Sequence, residues 1–148
     1  MSGLAREARG FTLVELLVVV TIIGIASAGV VMSLRSAQDA ALEREALRLA
    51  ALLEGARARA RASGQTIRWW PTEAGFHFDA PGQGEEALPT HWLAEAVQVD
   101  PPVVISLGPE PLIGPQAVTL VSAAAPGQRW RVSTDGWQPF EAAAASGP

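Results

Sequence analysis

The sequence contains no cysteine, no tyrosine and no lysine, and its first proline is Pro71. Without cysteine the chain can form no disulfide and no zinc site of the cysteine-containing kinds. Without lysine every basic side chain is an arginine. The net charge is −4, and the C-terminal half contains no stripe of basic residues. Both properties disfavour nucleic acid as the main partner. The lack of proline leaves nothing to interrupt a helix before Pro71.

Signatures of catalysis are absent as well. The two histidines, His77 and His91, have no metal-ligand spacing, and the sequence contains neither a Gly-x-Ser-x-Gly elbow nor a P-loop. His77 and Asp79 would share one strand face, and an exposed strand surface explains them as well as a weak site does. We therefore expect no enzyme, no metal site and no cofactor.

The most informative feature present is an apolar run from Phe11 to Leu34 in which Glu15 is the one ionisable residue. A helix rises about 1.5 Å per residue, so this run is long enough to cross a hydrocarbon core of about 30 Å. A carboxylate within such a segment is energetically costly and is usually functional. Glu15 lies one helical turn from the start of the run, where it could meet the positive charge of a chain terminus.

The junction Gly10-Phe11-Thr12-Leu13-Val14-Glu15, together with the run that follows, resembles the class III signal of type IV prepilins and pseudopilins. The resemblance implies that prepilin peptidase cleaves between Gly10 and Phe11 and methylates the new N-terminal Phe11. It also implies that Glu15 serves filament assembly by neutralising the N-terminal amine of a neighbouring subunit.

The same resemblance implies a membrane topology. Residues 1–10 would be the leader, and residues 11–34 would span the bacterial inner membrane once, with a cytoplasmic N-terminus and a periplasmic C-terminal domain. Two other interpretations stay open. Ala26-Ser27-Ala28 would satisfy the cleavage rule of a secretory signal, and Arg6 and Arg9 would orient a plain signal anchor. The prepilin interpretation explains the glycine, the phenylalanine, the glutamate and the short leader together.

Beyond the run, apolar side chains recur at helical spacing and form one stripe: Leu42, Ala46, Leu49, Leu53, Ala56 and Ala60. The opposite side carries charged residues: Asp39, Glu43, Arg44, Arg48, Glu54, Arg57 and Arg61. The pairs Glu45/Arg48 and Glu54/Arg57 have the spacing that allows ion pairing across one turn. We predict one long helix over residues 11–63 that ends at Ser63-Gly64 and packs its second half on a β domain. A coiled coil is the alternative for that half.

The rest of the chain alternates apolar and polar residues in short runs, which predicts a β domain over residues 64–140 and a flexible tail over 141–148. We expect a hairpin, 67–70 with 75–79, then strands at 97–99, 103–107, 117–122 and 128–133, and a last hairpin turning at 134–136 into 137–140. In the first hairpin, Ile67 and Trp69 are expected on one face and Phe76 and Phe78 on another. A helical half followed by strands indicates the α+β class, which is also the layout of pilin-like proteins.

Five tryptophans, Trp69, Trp70, Trp92, Trp130 and Trp137, stand in the β domain. Tryptophans can stack on sugars or bases. The simpler interpretation is that these tryptophans form the core of the small domain and the rim around it. Trp70 is the best candidate for an exposed contact. The three arginines at the end of the helix, Arg57, Arg59 and Arg61, would bind an acidic partner or form a solvated helix end.

In more detail, the segments Ala56–Ala60, Ile105–Pro109 and Arg131–Gly136 are similar to those of the H-type minor pseudopilins of type II secretion. The resemblance implies a structural subunit of the pseudopilus tip complex. Its partners would be prepilin peptidase, other major and minor pseudopilin or pilin subunits, the inner membrane and exoprotein cargo. The alternative is a minor pilin of a type IV pilus or of a DNA-uptake machine, which would contact DNA through arginines and tryptophans.

Overall fold

The structure, a computed structural model, describes residues 12–80 and 87–145. It divides into two compact units, residues 1–34 and residues 35–148. Gly10 and Phe11, the residues of the predicted cleavage, lie outside the described residues, and so do residues 81–86 and 146–148.

The described part of the first unit is helical. Helix α1 comprises Leu13–Ser63, and Thr12 caps its start, because the Thr12 hydroxyl oxygen accepts a hydrogen bond from the N–H of Glu15 at 3.2 Å. The stretch Leu13–Val30 has a mean hydropathy of 2.4, is long and apolar enough to cross a membrane, and has no buried residue. The hydroxyls of Thr21 and Ser27 donate to carbonyl oxygens one turn earlier, so they are satisfied within the helix itself.

Within its described residues, the second unit combines the rest of α1 with seven strands. They are β1 Ile67–Thr72, β2 Gly75–Asp79, β3 Val97–Val99, β4 Ile105–Leu107, β5 Gln116–Ser122, β6 Arg129–Thr134 and β7 Glu141–Ala144. The strands form two antiparallel sheets, of order β2-β1-β4 and β3-β5-β6-β7. This arrangement confirms the predicted α+β class and the pilin-like layout.

The apolar stripe of the helix supplies one side of the core. All six of its residues are buried, together with inward-facing residues of both sheets such as Trp69, Ile105 and Val132. The helix and β4 approach closely at one point, where a Cβ on Gly108 would lie 2.9 Å from that of Ala60. Gly108 also has a φ of 62°, so glycine suits both the conformation and the contact.

The predicted first hairpin is present, but its apolar residues share a single face. Trp69 lies opposite Phe78, and Phe76 lies opposite Pro71. Residues directly opposite each other in an antiparallel pair project to the same side. Ile67, Trp69, Phe76 and Phe78 are therefore buried together rather than divided between two faces.

The side chain of Gln116 links the two sheets. Its Oε1 accepts from the N–H of Ser106 at 2.8 Å, and its Nε2 donates to the carbonyl oxygen of Ser106 at 2.8 Å. The amide thus takes the position that a neighbouring strand would have at the outer edge of β4, and it satisfies backbone groups there.

The C-terminal end differs from the expectation. Residues 137–140 are not a strand, and residues 141–144, predicted as the start of a flexible tail, form β7 with Ala142 opposite Val132. Alanine has a low strand propensity, so its run carries little strand signal. The pairing comes instead from β6, which lies beside the segment once the preceding loop has turned.

Of the charged residues of α1 whose burial the structure describes, Glu45 and Arg57 are buried, although Arg57 was expected on the solvated side of the helix. The exposed fractions of Glu45 and Arg57 are 3% and 1%. Helical periodicity places both residues beside the apolar stripe, at the margin where loops of the β domain cover the helix. Their predicted ion pairs, Glu45 with Arg48 and Glu54 with Arg57, are confirmed at 3.2 and 3.6 Å.

Candidate assembly and interaction sites

The predicted assembly residue Glu15 lies in the first turn of α1. Its surroundings in the first unit are apolar and exposed side chains, including Leu13, Leu16 and Leu17. A carboxylate in the first turn is favoured by the partial positive charge of a helix N-terminus. The role of Glu15 in filament assembly stays a prediction.

A second site is the loop between β6 and β7, residues 135–140, which the buried guanidinium of Arg57 holds in place. Arg57 donates to the carbonyl oxygens of Gly136 at 2.6 Å and Gln138 at 3.2 Å. It also donates to Pro111 at 3.4 Å, in the loop after β4. Charge-assisted bonds of this kind are stronger than neutral ones, so one side chain organises two loops that are distant in sequence.

The two loops cross at Gly136, which has a φ of 95°. A Cβ at this position would lie 1.9 Å from the carbonyl oxygen of Ile113. Since real side chains cannot approach so closely, glycine is required here both by the backbone conformation and by the crossing.

The side chain of Asp135 closes the turn that follows β6. Its Oδ1 accepts from the N–H groups of Trp137 at 2.8 Å and Gln138 at 2.7 Å. These hydrogen bonds favour the charged carboxylate and hold the pKa of Asp135 below its usual value. The result of this turn is that the indole of Trp137 points outward, 75% exposed.

The tryptophans divide between core and rim as expected, but the exposed one is not the one predicted. Trp69 is fully buried in the core, whereas Trp70 is half-buried against its cross-strand partner His77, with ring centroids 4.8 Å apart. Trp92 packs on Phe76 at 4.6 Å. The exposed tryptophan is Trp137, not the predicted Trp70, because the burial of Trp70 is decided by its neighbour on β2.

A second clamp holds the segment that contains Trp92. The carboxylate of Glu45 accepts from the N–H groups of Leu93 at 3.0 Å and Ala94 at 3.2 Å. The guanidinium of Arg48 donates to the carbonyl oxygen of His91 at 3.1 Å. The i,i+3 spacing of Glu45 and Arg48 signals their mutual pairing, but nothing local in the sequence signals that they bind a segment more than forty residues away.

His77 and Asp79, which suggested a weak site, each contact another residue instead. His77 faces Trp70, and Asp79 forms an ion pair with Arg68 at 2.7 Å. Among the described residues, no three His, Cys, Asp or Glu side chains lie close enough together to hold a metal ion.

Comparison with known proteins points to the N-terminal end. Residues 6–31 match the prokaryotic N-terminal methylation motif. No curated protein and no solved structure matches the chain. The matched residues include Gly10, Phe11 and Glu15, and the motif is the signal of type IV pilins and pseudopilins. The chain therefore carries a prepilin-type N-terminal signal ahead of an α+β domain, which supports a pilin-like protein.

Proposed function

We propose that the chain is a minor pseudopilin, a structural subunit of the tip complex of a type II secretion pseudopilus. The observation that carries this proposal is the methylation motif over residues 6–31. It is supported by the exposed apolar helix over Leu13–Val30. Such a surface needs a covering of lipid or of other apolar helices, and a subunit that moves from the inner membrane into a filament has both in turn.

In this proposal the precursor is inserted in the inner membrane with its β domain in the periplasm. Prepilin peptidase cuts between Gly10 and Phe11 and methylates Phe11. Glu15 then pairs with the N-terminal amine of a neighbouring subunit. An acid and an amine in an apolar surrounding both lose hydration, so their pairing favours one register between adjacent helices. The β domain contacts other subunits and exoprotein cargo.

The alternative, a minor pilin of a type IV pilus or DNA-uptake machine, would need arginines free to bind phosphate. In the described part of the chain, the arginines paired with carboxylates include Arg48, Arg57, Arg68 and Arg129. Pairing reduces the positive potential that they offer to DNA. This supports placing the secretion role first.

The test of processing is the mature N-terminus of the full chain, read by intact mass and N-terminal sequencing with and without a co-expressed prepilin peptidase. We expect a chain that begins at methylated Phe11 when the peptidase is present. A Gly10→Val variant should stay uncut, because a larger side chain does not enter the narrow subsite. Gly24→Ala is the matched control and should be cut normally, since a Cβ at Gly24 meets no atom within 4 Å. A chain that begins near Gly29, or an uncut wild-type chain, would overturn the proposal.

The choice of machine is tested by removing this subunit from its cells. Loss of exoprotein secretion with intact DNA uptake supports the pseudopilin assignment. Loss of DNA uptake with intact secretion, together with a DNA affinity of the full chain that falls as salt rises, would replace it with the alternative.

A further inference from the structure

We propose that the outer edge of strand β7 pairs with an extended segment of a different subunit of the tip complex, which adds a fifth strand to the four-stranded sheet. The inference rests on the proposed function, because a minor subunit of such a complex contacts subunits other than copies of itself. It names the surface of the β domain that makes one of these contacts and the kind of segment that this surface binds.

Two residues of β7 turn their backbone groups away from the sheet. The N–H of Ala145 donates to the carbonyl oxygen of Arg129 at 2.8 Å, at the β6 end of this ladder. Hydrogen-bonded and non-hydrogen-bonded pairs alternate along an antiparallel ladder, so Ala143 also bonds to β6, whereas Ala142 and Ala144 point outward. Among the described residues, no group forms a hydrogen bond with the outward N–H and C=O groups of Ala142 and Ala144.

The other three sheet edges are covered or interrupted within the chain. At β4, the side chain of Gln116 satisfies both backbone groups of Ser106. At β2, the N–H of Phe76 donates to the carbonyl oxygen of Thr90 at 2.9 Å. Strand β3 comprises three residues and is followed, one residue later, by Pro101, which has no N–H for a further strand. Strand β7, made of one glutamate and three alanines, has neither a proline nor a covering side chain, and such an edge binds other strands.

The outward backbone groups determine the class of ligand. N–H and C=O groups that alternate along an extended edge are matched by another extended polypeptide, which binds by strand addition. On the core side of the sheet, the added strand would lie beside Ala142 and Ala144. Trp130, opposite Ala144, is only half-buried there, so apolar side chains of the added strand would cover it. On the other side Glu141 is exposed, which favours a basic residue opposite it.

A second copy of this chain offers no suitable strand. Antiparallel pairing of two β7 strands needs a two-fold axis perpendicular to the sheet, which would reverse the direction of α1 in the second copy, whereas the proposed function gives both helices one orientation in the membrane. Parallel pairing of two β7 strands would place the core side of one copy beside the outer side of the other. Pairing of β7 with the short β3 of a copy would repeat from subunit to subunit, which is not the proposed role. The partner is therefore a different subunit.

The test uses the full chain in its own cells, with prepilin peptidase and the other subunits of the machine present. The photo-reactive amino acid benzoylphenylalanine replaces either Glu141 or Ala143. Both positions are exposed and lie on the outer side of the sheet beside the edge of β7, so the core should be retained. We expect cross-links from both positions to one segment of a different pseudopilin-type subunit. The two cross-linked sites should lie two residues apart in that segment, because strand side chains alternate.

A matched pair of variants tests whether the edge itself is used. Ala144→Pro removes an outward N–H and places its ring at the edge of β7, but leaves the hydrogen bonds to β6 in place. It should lower the cross-link yield from position 141 at least about tenfold, because a ladder hydrogen bond and the close approach of the added strand are both lost. Ala144→Val keeps the N–H and suits a strand, so it should leave the yield unchanged or raise it.

Cross-links to a second copy of this chain, to unrelated segments from the two positions, or to no protein would overturn this inference. If those chains have a mature Phe11 N-terminus, the proposed function stands. Equal effects of Ala144→Pro and Ala144→Val on the yield would overturn the inference as well. An uncut N-terminus in the same samples would instead contradict the proposed function.

Discussion

Arg57 on helix α1 donates a 2.6 Å hydrogen bond to the carbonyl oxygen of Gly136, 79 residues later in the chain. Arg57 is almost completely buried, whereas the next residue after Gly136, Trp137, is 75% exposed. This hydrogen bond therefore holds the loop that carries the exposed indole in a fixed position against the helix. The loop that presents Trp137 is part of the packed domain because of this arginine.

Replacing Arg57 should destabilise the domain. Arg57→Met keeps the length of the side chain but removes its hydrogen bonds to three carbonyl oxygens, and hydrogen bonds to charged groups contribute about 1.5–3 kcal/mol each. In the variant, water can replace part of these hydrogen bonds to the carbonyl oxygens. We therefore expect the free energy of unfolding to fall by about 3 kcal/mol in total. Thermal unfolding of the full chain in detergent, followed by tryptophan fluorescence, measures it. Arg44→Met, at an exposed position of the same helix, should change the midpoint little; equal effects of the two variants would contradict the clamp.

Gly136→Ala and Gly55→Ala should have opposite effects. A Cβ at Gly136 meets the carbonyl oxygen of Ile113 and a φ of 95°, so we expect a loss of about 2 kcal/mol or more. Gly55 is an exposed helical position where a Cβ meets no atom within 4 Å, and alanine there should stabilise the helix by up to about 1 kcal/mol. Thermal unfolding of each variant, followed by tryptophan fluorescence, measures the two effects. A neutral Gly136→Ala variant would show that the two loops do not cross as described.

Asp135 should make the stability of the domain depend on pH in the acid range. Its pKa is lowered by hydrogen bonds from the N–H groups of Gln138 and Trp137. A group with a lowered folded-state pKa contributes stability above its unfolded-state pKa, about 3.9, and this contribution is lost as the pH falls through the folded-state pKa. Asp135→Asn keeps an acceptor oxygen but removes the titration. The difference in unfolding midpoint between wild type and Asp135→Asn should be constant near neutral pH and should change below about pH 4. Parallel pH profiles of the two proteins would disprove this role.

Glu15→Ala should separate processing from assembly. The precursor should still be cut before Phe11, since the residues at the scissile bond are unchanged. Assembly should be lost, because leaving one partner of a buried ion pair alone costs about 3–5 kcal/mol. N-terminal sequencing reports the first effect, and the amount of the subunit in sheared or detergent-resistant filaments reports the second. Thr21→Ala is the control on the same helix, where the hydroxyl bonds only to its own backbone. Normal assembly of Glu15→Ala chains would remove the role proposed for this carboxylate.

Several elements could be predicted because their signals are local. The apolar stripe from Leu42 to Ala60 was recognisable from its spacing, and all six of its residues are buried. The hairpin of β1 and β2 followed from two alternating runs beside a short turn. The ion pair of Glu45 and Arg48 followed from their i,i+3 spacing.

The features that were predicted wrongly from the sequence depend on contacts between distant segments. Arg57 has the spacing of a surface residue, and its burial results from loops that begin more than fifty residues later. The run of alanines after Glu141 resembles a frayed end until β6 pairs with it. The exposure of Trp137 rather than Trp70 depends on which side chains lie opposite each of them, and one-dimensional spacing does not contain that information.

By itself, the sequence determined the prepilin-type signal, the membrane-length apolar helix and the α+β order of elements. These properties arise from composition and periodicity within single segments, where each residue acts through its neighbours in the chain. Only the tertiary structure decided that strands divide into two sheets, that Glu45 and Arg57 anchor loops, and that Trp137 faces outward. Those outcomes depend on burial and hydrogen bonding between segments that meet only after folding, when most buried polar groups find a partner.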